Sequence, residues 1–334
     1  MPEHCTIDAH AHILAEETMA LMLKEAPNIG PRMERIDDDF ALLEVAGSRY
    51  RPFPRGGWDM PRRLADMDAA GIDMQLVSNT PQTFLYNQDP SLTAAMAALQ
   101  NDQIAKAVAG NPKRLMGLAT LPMQAPALAA DELRRAIRSL GLKGAQIGSN
   151  VNGRNLDDPA FEPLWAAADE LAAFIMVHPT QVAGAERLGA YYLTNLIGNP
   201  LDTTIAAACL VFGGVIERHP RIKFLMVHGG GFVPYQAGRF RHGWQVRPEP
   251  RATLAAPPDD SLNRLYFDTI VHDPSVLQFL VSSAGASRVL LGSDYPFDMG
   301  TLDGVRQVRA LPLSEPEKAA ILGGAAQALL DGVG

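Results

Sequence analysis

Eight short apolar segments recur along this chain, each separated from the next by a longer stretch with helical spacing. Strands that alternate with helices lie parallel and are joined by right-handed crossovers, and eight such units close a barrel. The pattern predicts an α/β fold, a (β/α)8 TIM barrel, with an open doubly wound sheet as the alternative. The predicted strands are Thr6–His10, Asp73–Ser78, Met116–Leu121, Gly144–Gly148, Phe174–His178, Phe224–Gly229, Leu265–Ile270 and Val289–Ser293.

The segment between the first two strands, residues 13–58, is too long for an ordinary loop. A barrel of this kind uses about 250 residues, so part of this 334-residue chain must form loops. We therefore predict one domain, residues 1–334, with an insertion at 13–58. Long loops at the carboxyl ends of barrel strands are where substrate pockets form.

Charge and cysteine content exclude several classes of protein. The net charge is −8 and no cluster of basic residues occurs, which argues against nucleic acid or an anionic membrane as a partner. The two cysteines, Cys5 and Cys209, are too few for a disulfide framework. Neither a membrane span nor a secretory signal is recognisable. These features predict a cytoplasmic protein.

The first predicted strand carries a His-x-His pair. Alternation along a strand places Asp8, His10 and His12 on one face. Imidazole is the commonest metal ligand in proteins, and a strand holds two rings rigidly enough to share one ion. His-x-His alone is a weak signal, so the positions of the other histidines decide the interpretation.

Three more polar residues fall at the ends of predicted strands. His178 ends the fifth strand, His228 follows the apolar run of the sixth, and Asp294 follows the eighth. In the sixth strand, alternation puts His228 on the same face as Phe224 and Met226. Because the carboxyl ends of all barrel strands meet at one rim, we expect these side chains to converge there.

Histidine and carboxylate ligands without cysteine suit Zn²⁺ in a catalytic site, with Mn²⁺ as the alternative. We assign His10, His12, His178 and Asp294 as ligands of a single ion. His228 is kept off the metal as a proton-transfer residue, because its ordinary pKa of about 6.5 suits that role. The predicted catalytic residues are His228 and Asp294.

Four motifs resemble those of the amidohydrolase superfamily, in the branch that contains 2-amino-3-carboxymuconate-6-semialdehyde decarboxylase. The resemblance extends over almost the whole chain. It implies a zinc-dependent, cofactor-free, non-oxidative decarboxylase of a small conjugated or aromatic carboxylic acid, working as a homodimer. The motifs are Asp8-Ala-His10-Ala-His12, Val177-His178-Pro179, His228-Gly-Gly-Gly231 and Gly292-Ser-Asp294-Tyr-Pro-Phe297.

The resemblance also implies a set of substrate-binding residues. Arg51, Arg239 and Arg247 match the positions of arginines that hold the acidic substrate, and Arg239 is expected to reach into the partner subunit's site. The planar guanidinium suits a carboxylate because it binds both oxygens at once. Trp58 and Phe297 match aromatic residues of the pocket wall.

This chain also departs from the decarboxylase pattern. Thr180 and Gln181 stand where the family enzyme has tryptophan and aspartate, and Tyr191 lies near a missing pocket tryptophan. A metal-dependent hydrolase of an amide or lactone is the first alternative. A serine esterase, suggested by the His-Gly-Gly-Gly sequence, lacks the G-x-S-x-G motif it needs. A zinc-stabilised binding protein is the third alternative.

Overall fold

Eight parallel strands lie at the centre of the structure, a computed structural model that describes residues 5–254 and 256–334. Hydrogen-bonded ladders join the first three strands and, separately, the last five. Bridges between Ala119 and Ala145 and between Ala11 and Tyr295 close the ring, so the predicted TIM barrel is confirmed. The barrel strands are Ile7–Ile13, Met74–Asn79, Leu115–Gly117, Gly144–Gly148, Phe174–His178, Lys223–Met226, Tyr266–Asp268 and Val289–Leu290.

Helices surround the strands, and their starts follow local sequence. Asp89 and Asp273 each accept backbone N–H groups of the first turn, and a proline follows each of them. Within the described residues, no helix combines the length and apolarity that crossing a membrane requires. The longer helices of the barrel are Met60–Ala70, Pro90–Gly110, Pro126–Arg138, Glu162–Glu170, Asn199–Phe212, Val233–Val246, Pro274–Ala284, Gly304–Ala310 and Ala325–Asp331.

Apolar side chains fill the barrel interior below its carboxyl rim. The cluster includes residues from six of the strands and is extended by the C-terminal helix through Leu329 and Leu330. This packing leaves the rim as the place for polar chemistry. The cluster residues that lie in the strands or directly after them are Ile7, Ala9, Met74, Leu76, Met116, Leu118, Phe174, Met176, Leu225, Val227 and Leu290.

The sixth strand differs from its prediction in both length and facing. It ends at Met226, and Leu225 belongs to the interior cluster. Phe224 and Met226 instead pack outside the barrel, where the Phe224 ring lies 5.7 Å from that of Trp165. The predicted shared face of Phe224, Met226 and His228 was therefore wrong. The third and eighth strands also end earlier than predicted, at Gly117 and Leu290.

Residues between the first strand and the helix Met60–Ala70 fold on a small core of their own. They form the helix Glu16–Glu25 and a three-stranded antiparallel sheet of Arg32–Arg35, Phe40–Val45 and Ser48–Pro54. This core continues onto the helix Pro90–Gly110 through Met96. The insertion therefore packs against the barrel, with its last strand close to the carboxyl rim.

A fully buried arginine ties the helix Met60–Ala70 to the first two strands. Arg63 Nη1 donates to Gln75 Oε1 at 2.8 Å, and Nη2 donates to the carbonyl of His12. Gln75 Nε2 in turn donates to Asp8 Oδ2 at 2.9 Å. Burial lowers the pKa of Arg63 to about 10, which leaves it charged at neutral pH. The network therefore fixes the first strand at two points, the carbonyl of His12 and the side chain of Asp8.

We expect Arg63→Met to lower the free energy of unfolding by about 3 kcal/mol, because it leaves buried acceptors without a donor. Urea denaturation followed by circular dichroism measures this loss. The matched control is Arg62→Met, since Arg62 is half-exposed and pairs with Asp66 on the surface. That change should cost less than about 1 kcal/mol. Equal losses in the two variants would contradict the structural role of Arg63.

Candidate metal centre

The first barrel strand contains a β-bulge that decides where its polar side chains lie. Asp8 pairs with Gln75, but the next ladder pair is Ala11 with Val77, so the first strand has one extra residue. Asp8 accepts hydrogen bonds from Gln75 Nε2 and from Ser293 Oγ, at 2.9 and 2.5 Å. The expectation that Asp8, His10 and His12 share one face of the strand was therefore wrong. Asp8 instead bonds to the segments on either side of the first strand.

Three histidines and one aspartate meet at the carboxyl rim of the barrel. Their four nearest ligand atoms all lie within 4.8 Å of one another, and the four residues, His10, His12, His178 and Asp294, are buried. The Nε2 atoms of His10 and His12 are 3.0 Å apart. Asp294 Oδ1 lies 3.0 Å from His12 Nε2 and 3.3 Å from His10 Nε2. The structure thus brings together the four residues predicted as ligands.

The opposite nitrogen of each ring faces a hydrogen-bond acceptor. His10 Nδ1 lies 2.8 Å from Asp268 Oδ2, and His178 Nδ1 lies 3.1 Å from the carbonyl of Pro179. His12 Nδ1 lies 3.2 Å from Ser78 Oγ, whose own proton is donated to Gln146. A proton on Nδ1 of each ring leaves every Nε2 lone pair directed to the same point, as metal ligation requires.

The electrostatics of the four residues also fit metal ligation. Burial lowers the pKa of His12 to about 4 and that of His178 to about 3, so both rings are neutral. Burial opposes ionisation of Asp294, but the surrounding histidines, His10 foremost, hold the pKa of its carboxyl well below the usual value. The neutral imidazoles of His12 and His178 beside an ionised carboxylate suit a divalent cation.

Two atoms of this group lack the partners that buried polar atoms ordinarily have. Among the described residues, His178 Nε2 and Asp294 Oδ1 are buried and have no hydrogen-bond partner. Buried polar atoms without a partner cost free energy, so an additional group at this point is expected. A divalent cation satisfies both atoms, and the residues present fit it.

His228 lies beside this group in a backbone conformation that the sequence did not predict. Its φ is +57°, in the left-handed region, and the three following glycines also have positive φ. This turn brings His228 Nε2 to 3.4 Å from Asp294 Oδ2. Its Nδ1 is buried without a partner among the described residues. His228 thus adjoins the four-residue group without belonging to it.

The sequence analysis missed Asp268, which is the last residue of the seventh strand. Its Oδ2 accepts from His10 Nδ1 and from the backbone N–H of His228, the latter at 2.9 Å. Its Oδ1 accepts from the N–H of Gly229 at 2.7 Å. Burial opposes ionisation, yet these bonds, that of His10 first, lower the pKa of Asp268. Its place at a strand end, like that of Asp294, was the available signal.

We expect Asp268→Asn to weaken metal binding about 10- to 100-fold, because an amide carries no charge and has an NH2 donor in place of one of the two accepting oxygens. Competition with a chromophoric chelator measures the affinity. The control is Asp260→Asn, which alters an exposed carboxylate. Unchanged affinity in Asp268→Asn would show that the orientation of His10 does not depend on this carboxylate.

Two cavities open at the metal centre, and both are lined in part by His228 and Asp294. The larger has a volume of about 810 Å³ and is mostly apolar. The smaller, of about 460 Å³, is also lined by His178, Tyr50 and Phe297. The Phe297 ring lies 5.1 Å from the His12 ring, so this predicted pocket residue does adjoin the metal centre.

The other predicted substrate residues lie elsewhere in the single chain. Arg51 and Arg239 are exposed, and Arg247 pairs with Glu249 on the surface. None of the three arginines lines either cavity at the metal centre among the described residues. Their role in substrate binding stays a prediction.

Trp58 does not occupy the pocket wall where it was expected. It is 8% exposed and packs in the insertion core, with its ring 5.4 Å from that of Phe53. The residues that depart from the decarboxylase pattern, Thr180 and Gln181, do line the smaller cavity. Tyr191 is 88% exposed, and its neighbour Tyr192 lines the cavity instead.

Comparison with known proteins agrees with this geometry. The amidohydrolase family matches residues 7–332. The chain is 37% identical over 320 residues to 2-amino-3-carboxymuconate-6-semialdehyde decarboxylase of Dictyostelium discoideum, covering 95% of this chain and 89% of that protein. It is 26% identical over 286 residues to gamma-resorcylate decarboxylase of a Rhizobium species, covering 79% of this chain and 87% of that protein.

Solved structures share the fold over nearly the whole chain. The structure of 5-carboxyvanillate decarboxylase from Sphingomonas paucimobilis matches with a TM-score of 0.83 at 24% identity, covering 98% of this chain and 99% of that one. The matched family, the relatives and the buried metal centre all indicate a metal-dependent decarboxylase. The chain therefore belongs to the amidohydrolase family, in its decarboxylase branch, and is a metal-dependent carboxy-lyase related to 2-amino-3-carboxymuconate-6-semialdehyde decarboxylase.

Proposed function

We propose that this protein is a zinc-dependent, non-oxidative decarboxylase of a small conjugated or aromatic carboxylic acid, and that His228 supplies the proton. One observation carries the proposal: His228 lies beside the four-residue metal group, with Nε2 3.4 Å from Asp294 Oδ2, and lines both cavities. The relatives are named as decarboxylases of 2-amino-3-carboxymuconate-6-semialdehyde, gamma-resorcylate and 5-carboxyvanillate, which supports this substrate class.

Loss of CO₂ breaks a carbon–carbon bond, and the carbon that remains must gain a proton. A divalent cation held by His10, His12, His178 and Asp294 would supply a Lewis acid at the site. The His228 imidazole, which lines both cavities, delivers the proton, and Asp268 holds this residue in place through its backbone N–H. The substrate is oriented so that its departing carboxylate lies over the apolar wall of the larger cavity.

The donor set favours zinc among the divalent cations. Three imidazoles and one carboxylate suit Zn²⁺, which leaves a position for water or substrate. Manganese is the alternative, since a solved dihydroxybenzoic acid decarboxylase from a Polaromonas species contains it. Metal analysis of the purified protein distinguishes the two.

A homodimer in which Arg239 enters the partner's site is part of the same proposal. Arg239 is exposed on the helix Val233–Val246, which also exposes Tyr235 and Val246. An exposed apolar surface of this kind is typical of an interface between subunits. Arg51 and Arg247 are proposed to bind the acidic substrate together with Arg239. Sedimentation of the wild-type protein tests the assembly.

We also propose a cytoplasmic location and a small acidic substrate as the only class of partner besides a second subunit. Cys5 and Cys209 are both free thiols, as a reducing compartment favours. The net charge of −8 is unfavourable for binding nucleic acid or an anionic membrane.

The experiment is a screen of conjugated and aromatic carboxylic acids for CO₂ release by protein of known metal content. We expect release from at least one acid and its loss after chelation, with recovery when metal is restored. An amide or lactone hydrolase would instead produce acid without CO₂. Acid production alone would overturn the proposal.

A further inference from the structure

A buried carboxylate with no part in the proposed reaction lies beside the end of the fifth strand. Asp202 belongs to the first turn of the helix Asn199–Phe212 and is 4% exposed. Its Oδ2 accepts from Ser149 Oγ and from Asn150 Nδ2, the latter at 2.9 Å, and its Oδ1 accepts from the backbone N–H of Ala183 at 3.0 Å. These three partners are all neutral. Because burying a carboxylate is costly, its presence here indicates a role that an apolar residue could not fill.

Two of the donors to this carboxylate also hold the end of the fifth strand. The backbone N–H of Ser149 donates to the carbonyl of His178 at 2.8 Å, and Ser149 Oγ accepts from the N–H of Thr180 at 3.1 Å. Asn150 Nδ2 donates to the carbonyl of Thr180 at 2.7 Å as well as to the carboxylate. The two donors thus connect the carboxylate to both residues that flank Pro179.

Pro179 carries the acceptor that orients one of the predicted metal ligands. His178 Nδ1 lies 3.1 Å from the carbonyl oxygen of Pro179. The fifth strand ends at His178, so no strand ladder fixes this carbonyl. Its direction depends instead on how the residues before and after Pro179 are held. A displaced carbonyl would turn the His178 ring, and Nε2 would leave the point where the four ligand atoms converge.

The turn that follows contains a residue in the left-handed backbone region. Gln181 has a φ of +47°, a conformation that costs free energy for a residue other than glycine. Such a conformation persists only where the surrounding structure imposes it. The bond from the N–H of Ala183 to Asp202 follows two residues later and closes the turn. Asp202 therefore holds residues 179–183 directly at one end and through its two donors at the other.

We propose that Asp202 is a positioning residue of the metal centre, which fixes the turn of residues 179–183 and thereby the direction of His178 Nε2. Its action is indirect, since Asp202 is not among the described residues that line the two cavities or form the four-residue group. The inference concerns how the metal is held and goes beyond the proposed reaction. It does not depend on which acid is the substrate.

Cobalt(II) bound to the otherwise metal-free protein tests the inference, because its visible d–d absorption bands report the arrangement of its ligands. We expect Asp202→Asn to bind Co²⁺ about tenfold more weakly than the wild type and to show altered d–d bands. The reason is that an amide turns an NH2 donor toward at least one of the three donors that the carboxylate accepts. Titration of the protein with Co²⁺, followed by absorption, measures both quantities.

The matched control is Asp169→Asn, which alters a carboxylate at the opposite end of the barrel. Asp169 Oδ1 accepts the backbone N–H of Arg221 at 2.7 Å, just before the sixth strand begins. This variant should keep the wild-type Co²⁺ affinity and bands. Urea denaturation of the same proteins measures stability separately. A folded Asp202→Asn that loses stability but keeps the wild-type affinity and bands overturns the inference, because Asp202 would then only stabilise the fold.

A second variant keeps the inference testable if Asp202→Asn does not fold. Asn150→Ala removes the amide that joins Asp202 to the Thr180 carbonyl and leaves the carboxylate in place. It should weaken Co²⁺ binding and alter the d–d bands in the same direction. Wild-type affinity and bands in folded Asn150→Ala overturn the inference. Absence of CO₂ release across the acid screen, with the expected Co²⁺ results, would count against the proposed reaction and not against the role of Asp202.

Discussion

Replacing His228 with alanine should lower the rate of CO₂ release about 10²- to 10⁴-fold while leaving the metal content unchanged. The reason is geometric: His228 lies next to Asp294 but outside the group of four ligands, and it lines both cavities. Removing its ring removes a proton donor without removing a ligand. Metal analysis and CO₂ release on the same preparation measure both quantities.

The control for this variant is His242→Ala, which removes an exposed histidine from the helix Val233–Val246. It should keep the wild-type rate. Added imidazole should restore part of the rate to His228→Ala, because a small donor can enter the vacated space. Loss of the metal together with the rate would identify His228 as a ligand and refute its assignment as the proton donor.

Asp294→Ala should release the metal and bring turnover below detection. Asp294 is the sole carboxylate among the four ligands, and its Oδ1 lies within 4.0 Å of the Nε2 atoms of His10, His12 and His178. Without it, a cation would face three neutral rings and lose its one charged ligand. We expect a decrease in metal affinity of at least about 100-fold, comparable to the loss of a ligand or its partner.

Metal bound per chain after dialysis against a weak chelator measures the effect of Asp294→Ala. Circular dichroism of the same sample establishes that the barrel is still folded. Asp303→Ala is the control, since it removes an exposed carboxylate that pairs with Arg306 on the surface. A full metal equivalent retained by folded Asp294→Ala would contradict the proposed coordination.

The barrel and the four predicted ligand residues could be predicted from two features of the sequence. These are the periodicity of the apolar residues and the position of polar residues at strand ends. Alternating apolar segments specify parallel strands, and polar residues at strand ends meet at one rim whatever the detailed backbone. His178 and Asp294 were therefore placed correctly relative to His10 and His12. The insertion was visible because it is too long for a loop.

The direction in which individual side chains point was less predictable, because it depends on local irregularities of the backbone. One extra residue in the first strand separates Asp8 from the two histidines, and a positive φ at His228 redirects it after the sixth strand. Alternation assumes a regular strand and misses both. Asp268 was missed for a different reason: its role depends on contacts between segments far apart in sequence.

The two oxygens of Asp268 join His10, a predicted metal ligand, to the turn that carries His228, the proposed proton donor. His10 bonds to one side of this carboxylate, and the N–H groups of His228 and Gly229 bond to it as well. The separation between the metal centre and the proposed proton donor is thereby set by one side chain rather than by the surrounding walls. Divergence among relatives can remodel the walls for new acids while the reacting pair keeps its spacing.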